Sequence, residues 1–288
     1  MSAGLSNPRR SVNICIAGLA IGAAALAWGL WSMDGGEDAP AGIAVAVGLL
    51  FCIVFPMFLF NFLWAVRLTD AMQRGEDVIA RWTVPPQTLE EFRADEAESK
   101  KQGRPNDWKV PKKIPPEGLD VIFSPSAVMI GDTFFGLSRA GLARFSGVQA
   151  VPGNPLSLGF GMVMTTGRAT SSGGARITTQ RSELRVPVAR TASAEASKVI
   201  AHYTAVTTGQ TVARPGFWAL RLKIGLWAAA IAATTGIVGF ALRGLNDQLA
   251  NIPLVMAIAG TMFTLGGLLI AAIAALIQRA ERTDRTRR

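Results

Sequence analysis

The sequence predicts an α-helical membrane protein with four transmembrane helices and a β-rich cytoplasmic domain inserted between helices 2 and 3. Of its 288 residues, 50% are hydrophobic and 17% are charged, whereas an ordinary soluble domain is about a quarter charged. Four strongly apolar runs lack Asp, Glu, Lys and Arg: residues 11–33, 39–66, 224–242 and 248–278. A helix of about 19 residues, at 1.5 Å per residue, already crosses the hydrocarbon core of a bilayer. The sequence therefore argues against a soluble enzyme.

The apolar runs divide the chain into five parts. In order, these are a cytoplasmic tail (1–11), a first transmembrane hairpin (12–66, with helices 12–33 and 41–66), a β-rich domain (67–216), a second transmembrane hairpin (217–278, with helices 219–242 and 252–278) and a basic tail (279–288). The two cysteines, Cys15 and Cys52, both lie in apolar runs. A secreted domain built on disulfides is therefore excluded.

The charges flanking the runs predict the orientation. Arg9 and Arg10 precede the first run, residues 67–223 carry a net charge of +7, and five arginines follow the fourth run, whereas loop 34–38 has three acidic and no basic residues. Because Lys and Arg stay on the cytoplasmic side, both termini and the domain are predicted to be cytoplasmic, in a multi-pass protein of the bacterial inner membrane. This topology accounts for the net charge of +9 without nucleic acid. Cleavage of residues 1–27 as a signal peptide stays open.

Small residues recur along three of the four predicted helices. Steps of three and four residues place each row on one helical face, where small side chains let membrane helices approach closely. Pro56 is expected to kink the second helix, which has no such row. The glycines predicted to mediate helix packing are Gly18, Gly22, Gly29, Gly225, Gly236, Gly239, Gly260 and Gly267.

The apolar runs contain no ionisable side chain except the two cysteines. Proton relays, voltage sensors and many ion pathways need charged residues at membrane depth. The sequence therefore favours a binding or scaffold role. A subunit of a small channel or transporter, with the cytoplasmic domain as its regulatory part, remains the alternative.

The cytoplasmic domain is predicted to start with a strand at 78–84 and a helix at 89–102, which a capping box at Thr88–Glu91 would begin. Four prolines make 104–119 an extended linker. Alternation and turn residues then predict strands at 120–124, 127–130, 133–137, 147–151, 156–165, 177–180 and 183–188. A closing helix is predicted at 193–207, with Ala196, Val199, Ile200 and Tyr203 on its apolar face.

The phrases VIFSPSAVMIG (121–131), TFFGLS (133–138) and ELRVPVA (183–189), followed by the closing helix, resemble the PH-like domains of bacterial integral membrane proteins. The resemblance covers roughly residues 78–207 and rests on patterns of alternation. The helix at 89–102 departs from the family's usual succession of hairpins. The resemblance implies an interaction or scaffold role and carries no catalytic residues across.

The residues offer little catalytic chemistry. His202 is the single histidine, and a zinc site needs several nitrogen or sulfur ligands. Gly159-Phe160-Gly161 lacks the third glycine of a phosphate-binding loop and lies in an apolar strand. The acidic residues between Glu90 and Glu98 fit the solvated face of a helix. The protein is therefore predicted not to be an enzyme and to need no metal or cofactor.

The predicted function is binding of a protein partner, a second copy of the chain or anionic lipid headgroups by the cytoplasmic domain, in addition to contact with the bilayer. Long basic side chains on a linker or hairpin can reach headgroups without disturbing a core. The candidate headgroup contacts are Lys109, Lys112 and Lys113 in the linker and Arg168 and Arg176 beside the turn Ser172-Gly173-Gly174.

Overall fold

The computed structural model describes residues 4–33, 39–137, 143–169, 175–211, 217–243 and 251–286. The elements, in chain order, are β1 (Leu5–Ser6), α1 (Pro8–Met33), α2 (Ala39–Gln73), β2 (Ala80–Val84), α3 (Pro86–Lys101), β3 (Leu119–Ser124), β4 (Ala127–Ile130), β5 (Thr133–Gly136), β6 (Ala143–Val151), β7 (Ser157–Ala169), β8 (Ala175–Pro187), α4 (Ser193–Thr207), α5 (Phe217–Arg243) and α6 (Asn251–Thr286). They form a β-rich unit of residues 1–8 and 65–215, and a helical unit of residues 9–64 and 216–288.

The helical unit contains the four apolar helices that the sequence predicts. Segments of α1, α2, α5 and α6 are long and apolar enough to cross a membrane: Pro8–Ser32, Pro40–Gln73, Trp218–Leu242 and Pro253–Leu276. Pro56 lies inside α2. Loops 34–38 and 244–250 lie outside the described residues. The prediction of four apolar helices with a β-sheet region between the second and third is confirmed.

The glycines of α1 lie against α2. A methyl group built on Gly18 would lie 2.4 Å from the ring of Phe55, and one on Gly22 would lie 2.5 Å from the Cβ atom of Phe51. At Gly29 the same methyl group would lie 2.9 Å from the carbonyl oxygen of Ala41. Real Cβ contacts are longer than this, so a side chain at these positions would require Phe55, Phe51 or the α2 backbone to shift.

The glycine rows of α5 and α6 face each other in the same way. A Cβ atom on Gly260 would lie 2.4 Å from the Cα atom of Gly236, and one on Gly239 would lie 2.6 Å from the nitrogen of Ala257. Gly225 and Gly267 also approach the facing backbone closely, at 2.9 Å and 2.8 Å. Backbone contact of this kind is how apolar helices gain van der Waals attraction in a membrane.

The β-rich unit has two antiparallel sheets. One has the strand order β1-β5-β4-β3-β2 and the other the order β6-β7-β8. In β2 the exposure alternates, so that Ala80, Trp82 and Val84 point inward. Side chains of both sheets and of α3 and α4 join in one buried cluster. Burial of this shared apolar surface holds the sheets together.

Helix α4 is anchored to the core by Tyr203, which is fully buried. Its ring packs edge-on against Phe123, Phe145 and Phe160, at centroid distances of 6.4, 5.4 and 5.4 Å. Its hydroxyl donates to the carbonyl oxygen of Ser124 at 2.7 Å. A buried phenol is therefore satisfied by the turn between β3 and β4. The bounds of α4 are those of the predicted closing helix.

The β-rich unit differs from the sequence prediction in several places. The predicted capping box at Thr88–Glu91 is wrong. Helix α3 begins at Pro86, so Thr88 already lies in its first turn, and no side chain caps the helix. The helix predicted at 89–102 ends at Lys101. The strands predicted at 177–180 and 183–188 are one continuous strand, β8, which pairs with β7 along its whole length. Strand β1 is absent from the prediction, because two residues carry no periodicity.

The region predicted as an extended linker, 104–119, is packed into the unit. Trp108 is 4% exposed and belongs to the core. Its ring lies 5.9 Å from that of Phe92 on α3. Arg93 donates to the carbonyl oxygen of Pro111 at 2.7 Å. The prolines indicated a backbone without regular secondary structure. They did not indicate that the buried side chain of Trp108 holds this backbone in place.

Candidate binding groove

Residues 103–109 are fixed along the outer edge of strand β8. Asn106 donates through Nδ2 to the carbonyl oxygen of Arg185 and accepts from the N–H of Arg185, both at 2.9 Å. The N–H of Asp107 donates to the carbonyl oxygen of Glu183 at 2.9 Å. The Ser182 hydroxyl donates to Oδ2 of Asp107 at 2.6 Å. The segment thus satisfies backbone groups that an edge strand would otherwise expose.

Arg185 is the buried centre of this arrangement, with 3% of its side chain exposed. It makes a bidentate ion pair with Glu96 of α3, at 2.7 Å and 2.9 Å, and a third contact with Glu183 at 3.2 Å. Nη2 also donates to the carbonyl oxygen of Arg104 at 2.8 Å. These contacts join α3, β8 and the 103–109 segment.

The charge of Arg185 is maintained by its partners. Burial alone would lower the pKa of Arg185, and the hydrogen bond and negative charge of Glu96, with a smaller effect of Glu183, raise it above its usual value. A bidentate pair between guanidinium and carboxylate is geometrically specific as well as strong. The fork therefore fixes the position of α3 relative to β8.

A groove of about 690 Å³ opens beside this clamp. Its walls come from β1, β5, β7, β8 and the 103–109 segment, all within the β-rich unit. A second cavity of about 510 Å³, lined by β6, β7 and β8, shares four residues with it: Arg104, Arg181, Ser182 and Glu183. The two cavities therefore adjoin, and we call them together the β8 groove.

The β8 groove carries an excess of available positive charge. Arg104, Lys109 and Arg181 line it and are exposed. Within the described part of the chain, no carboxylate lies within ion-pair distance of these three side chains. The two carboxylates in the walls already accept hydrogen bonds, Asp107 from Ser182 and Glu183 from Arg185. These three cations therefore have no ion-pair partner among the described residues, and an anionic ligand could pair with them.

The structure places the five predicted headgroup contacts in two regions. Lys109 lines the β8 groove, and Lys112 and Lys113 are exposed a few residues further on. Arg168 and Arg176 are register partners on β7 and β8. The turn between them, residues 170–174, lies outside the described residues.

Arg104, Arg181 and Arg185 were not singled out from the sequence. Glu96 was assigned to the solvated face of a helix, and this is wrong, because its side chain is 16% exposed and pairs with the buried Arg185. Arg185 alternates with the core residues Leu184 and Val186, which is typical of a solvent-facing position on a sheet. The sequence did contain a signal in α3, where the apolar residues Leu89 and Phe92 lie three positions apart, and both are buried in the structure. A helix with an apolar face must pack against another element, and α3 packs over the face of β8 that carries Arg185.

The described residues contain no group of three or more His, Cys, Asp or Glu side chains that could hold a metal ion. His202 lies on α4 with Nε2 3.2 Å from the carbonyl oxygen of Pro125. Its ring stands edge-on to that of Tyr203 at 5.1 Å. This position fits a residue that helps to hold α4 on the β3–β4 turn.

Gly159 and Gly161 lie inside β7 and pair with β6 and β8. A Cβ atom on Gly161 would lie 2.6 Å from the hydroxyl oxygen of Ser146, next to a register shift between Phe145 and Gly147. The two glycines therefore accommodate a bulge and close packing.

Comparison with protein-family models, with curated proteins and with solved structures found no match for the chain.

Proposed function

We propose that the protein is a non-enzymatic integral membrane protein of the bacterial inner membrane, whose cytoplasmic β-rich unit binds a protein partner or anionic lipid headgroups as a scaffold or accessory component. The observation that carries the proposal is the β8 groove, with three exposed cations that lack ion-pair partners among the described residues. The four apolar helices would hold this groove at a membrane.

Strand β1 supports the proposed topology independently of charge. Leu5 and Ser6 pair with Phe134 and Thr133, and the N–H of Asn7 donates to the carbonyl oxygen of Asp132 at 3.1 Å. Residues that share a sheet lie on the same side of a membrane. Helices α1 and α2, which separate these residues in the chain, would then cross as a pair. The basic flanks assign the shared side to the cytoplasm.

The arrangement of the sheets supports the proposed likeness to PH-like domains. Two antiparallel sheets enclose one core, and one helix, α4, follows the last strand and packs on that core. Helix α3 and residues 103–118 would be an insertion between the first and second strands of that arrangement. The insertion forms one wall of the β8 groove, so the likeness implies a binding site particular to this chain.

The proposal is tested with the full chain in nanodiscs of neutral lipid. Vesicles containing phosphatidylglycerol are added, and flotation of the nanodiscs with the vesicles is measured at low and high salt. Headgroup binding predicts flotation that high salt abolishes, since charges are screened beyond about 3 Å at 1 M salt. A variant with Lys109, Lys112, Lys113, Arg168 and Arg176 all changed to Ala should float less.

A companion experiment addresses the channel or transporter alternative. The full chain is reconstituted in proteoliposomes, and release of entrapped ions and small solutes is compared with that from empty vesicles. The binding function predicts no difference. Flux that depends on the protein would contradict it and favour a channel or transporter subunit.

A further inference from the structure

We propose that the β8 groove receives an extended acidic segment of a partner protein. This inference rests on the proposed binding function and deepens it, because it selects a protein over a lipid surface and assigns the site. Arg104, Lys109 and Arg181 would contact the carboxylates of the segment.

The size of the groove favours a peptide. Its two adjoining cavities of about 690 and 510 Å³ share Arg104 and the β8 residues Arg181, Ser182 and Glu183. Pockets for ligands of drug size already enclose about 300–1,000 Å³, so the groove exceeds what one phosphate group fills. An extended chain rises about 3.3 Å per residue, and cavities of this volume have room for more than one residue of such a chain.

The chemistry of the walls also favours a peptide. Ser6, Thr133, Gln180 and Ser182 add hydroxyl and amide groups between the cations. An extended main chain presents one donor and one acceptor per residue, which these groups can match. Asp107 and Glu183 are also in the walls. They would repel a uniformly anionic membrane surface, whereas a peptide can space its carboxylates to avoid them.

The groove is formed before any ligand binds. The Asn106 clamp on Arg185 and the buried Trp108 fix one wall. The other walls are strands in ladders. A rigid site loses less conformational freedom on binding than a mobile loop would. The three cations are exposed side chains on a fixed backbone. This arrangement suits the binding of carboxylates spaced along a flexible segment.

The test measures binding of three fluorescein-labelled hexapeptides, rich in Glu, Lys or Ser, to the full chain in neutral-lipid nanodiscs. Fluorescence anisotropy should show binding of the Glu-rich peptide alone, and weaker binding as salt rises. Arg181→Glu should weaken that binding about tenfold, which corresponds to about 1.4 kcal/mol. It should also increase binding of the Lys-rich peptide. Lys198→Glu is the matched control, since Lys198 is exposed on α4 and does not line the groove.

The outcomes separate the inference from the proposed function. Equal effects of Arg181→Glu and Lys198→Glu, or no preference for the Glu-rich peptide, would overturn the peptide site. If Arg181→Glu instead abolished flotation with phosphatidylglycerol vesicles and left peptide binding unchanged, the groove would read a membrane surface. That result would also overturn the inference, and the proposed function would stand. The urea midpoint of each variant verifies that it is folded.

Discussion

Replacing Arg185 with Met should destabilise the β-rich unit by about 3 kcal/mol. Breaking a buried ion pair by removing one partner costs about 3–5 kcal/mol. The lower end applies because Glu96 and Glu183 keep 16% and 26% of their side chains exposed and regain some hydration. Met retains most of the apolar volume, and the Asn106 clamp uses only the main chain of residue 185. The loss therefore reports the charged fork.

The assay reads the β-rich unit alone in the detergent-solubilised full chain. In a background with Cys15 and Cys52 changed to Ala, Ala196→Cys places one thiol in the core, where Ala196 is 3% exposed. Thiol labelling along a urea titration then gives the unfolding midpoint. Glu96→Gln should also destabilise, and combining it with Arg185→Met should cost less than the sum, since the two residues form one pair.

Arg190→Met is the control for this experiment. Arg190 has 72% of its side chain exposed and lies 3.5 Å from Glu91, and exposed ion pairs contribute about 0–1 kcal/mol. If Arg185→Met shifted the midpoint no more than Arg190→Met, the fork would not hold α3 on β8. The structural reasoning behind the wall of the groove would then be wrong.

Three further predictions concern the core, the helices and pH. Tyr203→Phe should lower the free energy of unfolding by about 1–3 kcal/mol, because it removes the hydroxyl that donates to the buried carbonyl oxygen of Ser124; the same urea assay measures it. Gly260→Ala should lower the detergent melting temperature, because the new methyl group meets the facing helix backbone at 2.4 Å, whereas Gly266→Ala meets no atom within 4 Å and should not. The Thr83 hydroxyl holds the pKa of Asp120 below its usual value. Its stabilisation is therefore present above about pH 4 and lost as pH falls through the lowered pKa, so Asp120→Asn should flatten the acid limb of a stability profile.

The helices of the helical unit could be predicted because each is marked by a pattern within its own segment of the sequence. A run of apolar residues as long as a bilayer is thick is typical of a transmembrane helix, and positive charge at its ends orients it. The closing helix could be predicted equally well, since Ala196, Val199 and Tyr203 repeat at helical spacing. All three are buried in the structure. Each of these elements can be recognised within its own window of residues.

The groove could not be predicted because it depends on contacts between residues far apart in the chain. Arg185 and Glu96 are 89 positions apart, and each resembles a solvated surface residue in its own segment. Trp108 lies among prolines and lysines that indicate a loop, and only the fold shows that it packs against Phe92. Strand β1 is too short to carry a pattern and exists because β5 offers an edge. Periodicity cannot reveal pairings of this kind.

In the proposed topology, the β-rich unit and its groove lie on the cytoplasmic side of the membrane. Single cysteines are introduced at Gly36, Asn246 and Arg190 in the background without Cys15 and Cys52, and intact cells are treated with an impermeant thiol reagent. Positions 36 and 246 lie in the two short loops predicted to be outside, and Arg190 is an exposed residue of the β-rich unit. The proposed topology predicts labelling of Gly36→Cys and Asn246→Cys in intact cells and of Arg190→Cys only after permeabilisation. Labelling of Arg190→Cys in intact cells would contradict it.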